Sequence, residues 1–119
     1  MLYNLFRIAK LLLLWLDFAA ITAVLYVLSF LPRRLTAGFY FPWFRSWSWA
    51  FVRALGVDLR LHQKNRYALP KQYILIANHP SALEDVGIPA LFPVYSLAKI
   101  EVKDWWIVGR ISQAAGTLY

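Results

Sequence analysis

The chain has 119 residues, enough for one domain at most, and 61% of them are hydrophobic. About 45–50% is usual for soluble domains, so the composition favours contact with a membrane. The absence of cysteine excludes disulfides, and the net charge of +7 comes from bases that flank apolar and aromatic segments. This arrangement indicates an anionic membrane face and excludes nucleic acid as the expected partner.

The first element is an apolar run over residues 11–31, whose only charge is Asp17. About 20 apolar residues span the hydrocarbon core, so the run predicts a membrane anchor, either spanning or inserted as a hairpin. A carboxylate at the bilayer centre costs about 2.5–3.5 kcal/mol, but Asp17 lies near one end, where that cost is lower. The excess of arginine after the run predicts that its C-terminal side is cytoplasmic. A buried core helix is the alternative.

Pro32 ends this run, and a stretch crowded with aromatic residues follows over residues 35–55. Trp and Tyr concentrate at membrane interfaces, so we predict an interfacial helix over about residues 43–55, after Pro42. The same helix could pack on the following domain, and both interpretations can hold together. Residues 1–55 are therefore predicted to form a membrane anchor with interfacial aromatic helices.

The remaining residues, 56–119, show short segments of a different kind. Residues 57–62 alternate apolar and polar side chains, as a half-exposed strand does, and the apolar run 73–77 is typical of a buried strand. A short helix is predicted over residues 82–91 and another strand over 94–98. The two histidines lack the spacing of metal ligands, and no nucleotide-binding fingerprint occurs, so neither a metal nor a bound cofactor is expected.

The turn after residues 73–77 carries the most chemistry. Glu84 and Asp85 follow His79 by five and six residues. On a continuous helix five residues turn through about 500°, so His79 can meet Glu84 only from a position before the helix. Pro80 favours that position, and Ser81 is a suitable N-cap. A carboxylate on one imidazole nitrogen would fix the tautomer and leave the other as a base for a substrate hydroxyl.

A simpler interpretation of this turn requires no catalysis. Ser81 and Glu84 have the spacing of a capping box, in which each side chain bonds the other residue's backbone at the start of a helix. From the residues alone, His79 is a candidate general base and no more.

Residues 78–84 resemble the Asn-His-x-Ser-x-x-Asp block of the glycerolipid acyltransferases, the lysophosphatidic acid acyltransferase family. Glu84 stands where that block has Asp, and Asp85 beside it leaves the partner of His79 open. Residues 97–101 resemble the family's Ala-Lys-x-Glu segment, and residues 105–109 its aromatic-rich stretch. Residues 116–119 resemble the start of a Gly-x-x-aromatic block, which in relatives continues into an arginine and a later Phe-Pro-Glu-Gly block.

The resemblance covers roughly residues 57–119 and implies an α/β fold, with N-terminal membrane-associated helices followed by a mixed-sheet acyltransferase domain that is truncated here. It implies transfer of an acyl group from a thioester, acyl-CoA or acyl carrier protein as cosubstrate, to the hydroxyl of a lysophospholipid, with 1-acylglycerol 3-phosphate as first choice. His79 would be the base and Glu84 would orient it. Asn78 and Ser81 would shape the turn that receives the substrate, and Lys99 would attract the substrate phosphate.

The expected location is the inner membrane of a bacterium, with the active site on the cytoplasmic side, and the 119 residues alone are expected to be inactive. Two alternatives stay open. One is an acyltransferase for another acceptor, such as a lyso-aminolipid or glycerol 3-phosphate. The other is a non-catalytic module that binds the membrane interface. The side chains of residues 105–108 are compatible with an acyl-chain groove, although a place in the core is favoured slightly; these are Trp105, Trp106, Ile107 and Val108.

Overall fold

The computed structural model describes residues 2–65, 67–79 and 81–119, and its regular structure is helical. The helices are listed here in chain order: α1 (Leu2–Leu28), α2 (Arg33–Thr36), α3 (Tyr40–Ala54), α4 (Leu83–Leu91), a 3-10 helix (Ile100–Asp104) and α5 (Trp106–Ala115).

Helix α1 confirms the helix predicted from the apolar run and extends it toward the N-terminus. Its 27 residues contain neither Gly nor Pro, and they rise about 40 Å, more than the roughly 30 Å of a hydrocarbon core. Only 6% of its most apolar window is buried, so by length and composition the helix could cross a membrane. It ends at Leu28 instead of Leu31 because Pro32 disfavours helical geometry in the residue before it. Leu31 accordingly closes a tighter turn, donating its N–H to the oxygen of Leu28 at 3.0 Å.

Helix α3 begins at Tyr40, three residues earlier than predicted, and includes Pro42. The first N–H groups of a helix have no intrahelical acceptor, so a proline in the first turn removes no hydrogen bond. One aromatic stripe of α3 lies against α1: Phe18 of α1 has its ring centroid 5.6 Å from Trp47 and 4.9 Å from Phe51. Much of the aromatic surface predicted for the membrane interface is therefore buried within the protein.

The core lies where α1, α3, α4 and α5 meet. Two long-range hydrogen bonds fix α3 on α1: the Tyr40 hydroxyl donates to the backbone oxygen of Leu25 at 2.9 Å, and Trp47 Nε1 donates to Thr22 Oγ1 at 2.8 Å. Burial of large apolar side chains supplies most of the stabilisation, about 1.5–3 kcal/mol for each that is fully buried. The buried cluster consists of Leu25, Tyr40, Phe44, Trp47, Val52, Val86, Ile111 and Ala115.

The predicted α/β fold with a mixed sheet is wrong for the part of the chain that the structure describes. Residues 57–62 and 73–77 form no strand there, and residues 94–98 contribute only an isolated parallel bridge between Leu97 and Leu118. A strand requires a neighbour that takes its N–H and C=O groups, and no described backbone hydrogen bond provides one for residues 73–77. Ile74 and Ile76 are 91% and 89% exposed, so this run is not buried either.

Helix α4 is held on α3 by one arginine. Arg45 of α3 donates from Nε to the backbone oxygen of Pro89 at 3.0 Å and from Nη2 to that of Ala90 at 3.2 Å. These carbonyls lie in the last turn of α4, where no intrahelical donor is available, and Arg45 satisfies them. Val86 and Pro89 are buried, so the N-terminal turn of α4, which carries the acidic residues, has a fixed position.

Candidate active site around His79

The turn before α4 is organised by Ser81 and Glu84. Ser81 donates its backbone N–H to Glu84 Oε2 at 3.0 Å and its hydroxyl to the same oxygen at 3.1 Å, while Leu83 donates its N–H to Ser81 Oγ at 3.2 Å. Only half of the predicted capping box is present: Glu84 accepts the backbone N–H of Ser81, but Ser81 Oγ accepts the N–H of Leu83 and not that of Glu84, and the helix begins at Leu83 with Ala82 as its N-cap. Helix α4 therefore begins one residue later than predicted.

His79 lies before the helix, as predicted, with one carboxylate near each ring nitrogen. Its Nδ1 is 3.4 Å from Glu84 Oε2, and its Nε2 is 3.8 Å from Asp85 Oδ1. Both distances exceed the 2.7–2.9 Å of a charge-assisted hydrogen bond, so the carboxylates lie close to the ring nitrogens without forming hydrogen bonds to them. The effect predicted for Pro80 lies outside the described residues. The structure thus brings together His79, Glu84 and Asp85, three of the residues singled out from the sequence.

The environment of Glu84 favours its charged form. Desolvation on its own would raise the pKa of this carboxyl, but hydrogen bonds from its own backbone N–H, from the hydroxyl and N–H of Ser81, and the nearby His79 together lower the pKa below its usual value. The N-terminus of α4 adds the positive end of a helix dipole. A charged carboxylate beside Nδ1 can hold an N–H there and stabilise an imidazolium.

The two carboxylates differ in how firmly they are held. The Glu84 side chain is 26% exposed and bonded to Ser81, whereas that of Asp85 is 65% exposed. The closer and better-fixed partner of His79 is therefore Glu84, the residue that replaces the expected Asp. Asp85 reaches Nε2 only at 3.8 Å, so that nitrogen is available to a substrate.

The site is open to water. The side chain of His79 is 60% exposed, and Asn78 beside it is exposed as well. A cavity of about 650 Å³ is lined by Leu75, which precedes His79 in the chain, and by Phe92, which follows it. His79 itself does not line this cavity. Proton transfer in enzymes usually takes place where water is excluded, so this surface lacks one feature of a closed active site.

Lys99 occupies the position directly before the 3-10 helix. Its neighbour Ala98 donates its backbone N–H to Leu118 at 2.9 Å, which holds the segment against the chain end. No hydrogen bond or ion pair between Lys99 and the His79 turn occurs among the described contacts. The structure thus groups His79, Ser81 and Glu84 but gives Lys99 no contact with them.

Metal binding is not indicated by the described residues, which contain no cluster of three or more His, Asp or Glu side chains that could hold an ion. The absence of a resident cofactor stays a prediction. For Trp105 and Trp106 the interpretation as core residues is wrong, since they are 58% and 79% exposed. Ile107 is partly buried and packs against the core cluster, and Val108 is partly buried.

A second cavity, of about 530 Å³, lies between the end of α1 and the region from the 3-10 helix to α5. It was not predicted from the sequence, and we call it the cationic cavity. Three cationic residues line it: Arg33, Lys103 and Arg110. Arg33 is separated from the other two by about 70 positions, so no local spacing signals the cluster. The one available signal is that Arg33 belongs to the excess of arginine after the apolar run, which predicts only the orientation of that run in the membrane.

Comparison with known proteins finds a local similarity. Over 50 residues the chain is 36% identical to proteins named 1-acyl-sn-glycerol-3-phosphate acyltransferase in Neisseria gonorrhoeae and in Neisseria meningitidis serogroup B. The matched segment covers 42% of this chain and only 20% of each relative. No family model and no solved structure matches the chain. The similarity is thus confined to a short segment of those relatives, and α1 is compatible with membrane association by its length and composition.

Proposed function

We propose that this chain belongs to a membrane-bound glycerolipid acyltransferase. The proposed reaction moves an acyl group from a thioester donor, acyl-CoA or acyl carrier protein, to the free hydroxyl of a lysophospholipid, with 1-acylglycerol 3-phosphate as the first acceptor to test. The observation that carries the proposal is the position of His79 between Glu84 and Asp85, at 3.4 and 3.8 Å. The local similarity to lysophosphatidic acid acyltransferases supports it.

In this mechanism His79 is the general base. Its Nε2 takes the proton of the acceptor hydroxyl as the oxygen attacks the thioester carbonyl, and a tetrahedral intermediate forms. The intermediate collapses, the C–S bond breaks, and the imidazolium returns the proton to the departing thiolate. The products are the acylated lipid and a free thiol, so atoms and charge balance without an acyl-enzyme intermediate.

Glu84 acts through His79. Its carboxylate would accept the Nδ1–H, fix the tautomer that leaves Nε2 unprotonated, and stabilise the positive charge that develops on the ring. Ser81 is a positioning residue, because its hydroxyl and N–H hold the carboxylate on the His79 side of the turn. Asn78 adjoins His79 and would help to shape the surface that receives the acceptor.

Lys99 is proposed to attract the substrate phosphate. A lysine ammonium acts as a compact charge and can draw a phosphate from several ångströms away without a fixed geometry. No described contact brings Lys99 to the His79 turn, so their approach when the substrate binds is part of the proposal.

Membrane association would explain why the N-terminal part of the chain is so apolar. A lysophospholipid resides in the bilayer, so an enzyme that acylates it gains from an anchor such as α1, whose apolar side chains are largely exposed. The arginines that follow α1 favour a cytoplasmic location for the rest of the chain, and the inner membrane of a bacterium is the proposed site.

A second candidate function is favoured by the exposure of His79. A 60% exposed histidine in a capping turn suits a structural role, and the chain could then be a non-catalytic module that binds the membrane interface. This alternative predicts that His79→Ala leaves function intact while removal of residues 11–31 abolishes it. An acyltransferase for a lyso-aminolipid or glycerol 3-phosphate would keep the His79 chemistry and change only the acceptor.

The test is thiol release from an acyl thioester when lysophosphatidic acid is added to the protein in vesicles. Release by the wild type that falls at least about 100-fold in His79→Ala would support the transfer reaction and the base together. His62→Ala is the matched control, because it removes the chain's other histidine, which is exposed. Equal release by wild type and His79→Ala would remove His79 from the mechanism, and no release with any lysolipid would favour the interface module.

A further inference from the structure

The lining of the cationic cavity has the composition of an anion-binding site. Its lining carries three cations, Arg33, Lys103 and Arg110, against one carboxylate, Asp104, which leaves an excess of two positive charges. Among the described residues none of these cations lies within 4 Å of a carboxylate, since the ion pairs found there involve Arg60 and His79. Unpaired cations that face one space favour a ligand with negative charge.

Contacts across the cavity hold two of its walls in place. The guanidinium carbon of Arg110 lies over the ring of Phe30, 3.6 Å from the ring centroid. No described hydrogen bond or ion pair uses the N–H donors of Arg110, and a guanidinium can bind phosphate oxygens through such donors. Trp106 Nε1 donates to the hydroxyl of Tyr26 at 3.0 Å, so α5 is tied to the last turns of α1 beside the same space.

The position of the cavity on the molecule indicates where its ligand comes from. It lies at the C-terminal end of α1, the helix whose apolar side chains are mostly exposed, and Arg33 begins α2 after the four residues that follow α1. Trp105 and Trp106 line the cavity and are 58% and 79% exposed, as side chains of an interfacial aromatic belt are. With α1 in the bilayer, the cavity lies at the depth of the lipid phosphates.

We propose that this cavity binds the phosphate of an anionic phospholipid headgroup in the surrounding membrane. Arg33 and Arg110 donate hydrogen bonds to the phosphate oxygens, and Lys103 adds a third charge. The excess of positive charge favours a headgroup without an ammonium, such as phosphatidylglycerol, over zwitterionic phosphatidylcholine. The inference rests on the proposed membrane association of α1 and is independent of acyl transfer, because His79 does not line the cavity.

The experiment measures binding of phosphatidylglycerol and of phosphatidylcholine to the delipidated full chain in a neutral detergent, by native mass spectrometry. The test variant is Arg33→Gln with Arg110→Gln, and the matched control is Arg34→Gln with Arg60→Gln. The control loses the same two charges at residues outside the cavity. We expect the test variant to bind phosphatidylglycerol about tenfold more weakly and the control to change less than about twofold.

Further measurements keep the outcome decisive. A variant with Arg33→Lys and Arg110→Lys retains the charge but loses the guanidinium donors, so its affinity should lie between those of the wild type and the test variant, with circular dichroism checking that the helices persist. Equal weakening in the test and control variants would indicate diffuse attraction and overturn the proposal, as would equal wild-type affinity for the two lipids. Displacement of the lipid by millimolar inorganic phosphate would make the ligand a free ion and overturn it as well.

One further variant separates this inference from the proposed reaction. His79→Ala should keep wild-type binding of phosphatidylglycerol even where thiol release is lost. If no thiol release is found with any protein, the lipid comparison still decides the proposal. If binding fails while thiol release follows His79, the headgroup site is wrong and the acyltransferase proposal is unaffected.

Discussion

Nδ1 of His79 lies 3.4 Å from Oε2 of Glu84, the same oxygen that accepts the backbone N–H of Ser81 at 3.0 Å. One carboxylate therefore caps the start of α4 and faces the imidazole. The structural and the catalytic interpretations of this turn do not exclude each other, because the bonds that fix the helix start also fix the group that would orient His79. The position of the imidazole depends on how well the helix is capped.

The first prediction separates the two carboxylates. Glu84→Gln removes the charge next to Nδ1 and should lower kcat/KM for thiol release about 100-fold, since a neutral amide cannot stabilise the imidazolium. Asp85→Asn should lower it less than about threefold, because Asp85 is largely exposed and 3.8 Å from Nε2. The measurement is the rate of thiol release at limiting acceptor. A larger loss in Asp85→Asn would make Asp85 the partner of His79.

The second prediction concerns pH. The pKa of Glu84 is lower in the folded chain than its ordinary value of 4.5. A depressed pKa means that the ionised carboxylate stabilises the fold above pH 4.5, and that this contribution is lost as pH falls through the folded-state pKa. The difference in free energy of unfolding between wild type and Glu84→Gln should follow that course in chemical denaturation.

The bonds from Ser81 provide the control for this pH effect. Ser81→Ala removes the hydroxyl that helps to lower the pKa of Glu84, so the pH-dependent difference should shrink in that background. The loss of the hydrogen bond from Leu83 N–H to Ser81 Oγ should also lower the free energy of unfolding by about 0.5–1.5 kcal/mol at neutral pH. A difference that grows as the solution becomes more acidic would contradict the prediction.

What could be predicted from the sequence is what depends on near neighbours in the chain. Helix α1 follows from apolar composition, and its end follows from Pro32. The approach of His79 to Glu84 follows from their spacing and from a helix start between them, although the start itself was misplaced by one residue. Each of these features is decided within a few residues, where helix geometry and capping dominate.

The features that were predicted wrongly or missed depend on contacts between distant parts of the chain. The apolar pattern of residues 73–77 fits a strand, but a strand forms only where another segment pairs with it, and no described segment does so. The ring of Phe30 and the guanidinium of Arg110 meet across 80 positions, which no local pattern encodes. The sheet was therefore wrongly predicted and the cationic cavity missed for the same physical reason.

A third prediction tests the junction of α1 and α3. The Tyr40 hydroxyl is buried and donates to the backbone oxygen of Leu25, and burial raises the pKa of this phenol so that it stays protonated. Tyr40→Phe should reduce the free energy of unfolding by about 1 kcal/mol, because the Leu25 oxygen keeps the N–H of Ser29 as a donor. Tyr67→Phe, at an 83% exposed position, should be neutral in the same denaturation experiment. Equal effects would remove this hydrogen bond as a contributor to stability.

The last prediction concerns the close approach of α5 to the 3-10 helix. A Cβ on Gly109 would lie 2.4 Å from the backbone oxygen of Lys103, too close for any side chain unless the 3-10 helix moves. Gly109→Ala should therefore cost about 1–3 kcal/mol and displace Lys103, weakening phosphatidylglycerol binding in the same protein. Gly38→Ala is the control, since a Cβ there meets nothing within 4 Å and should leave stability and binding unchanged or slightly improved. An unchanged melting temperature in Gly109→Ala would show that the two helices are not held this closely.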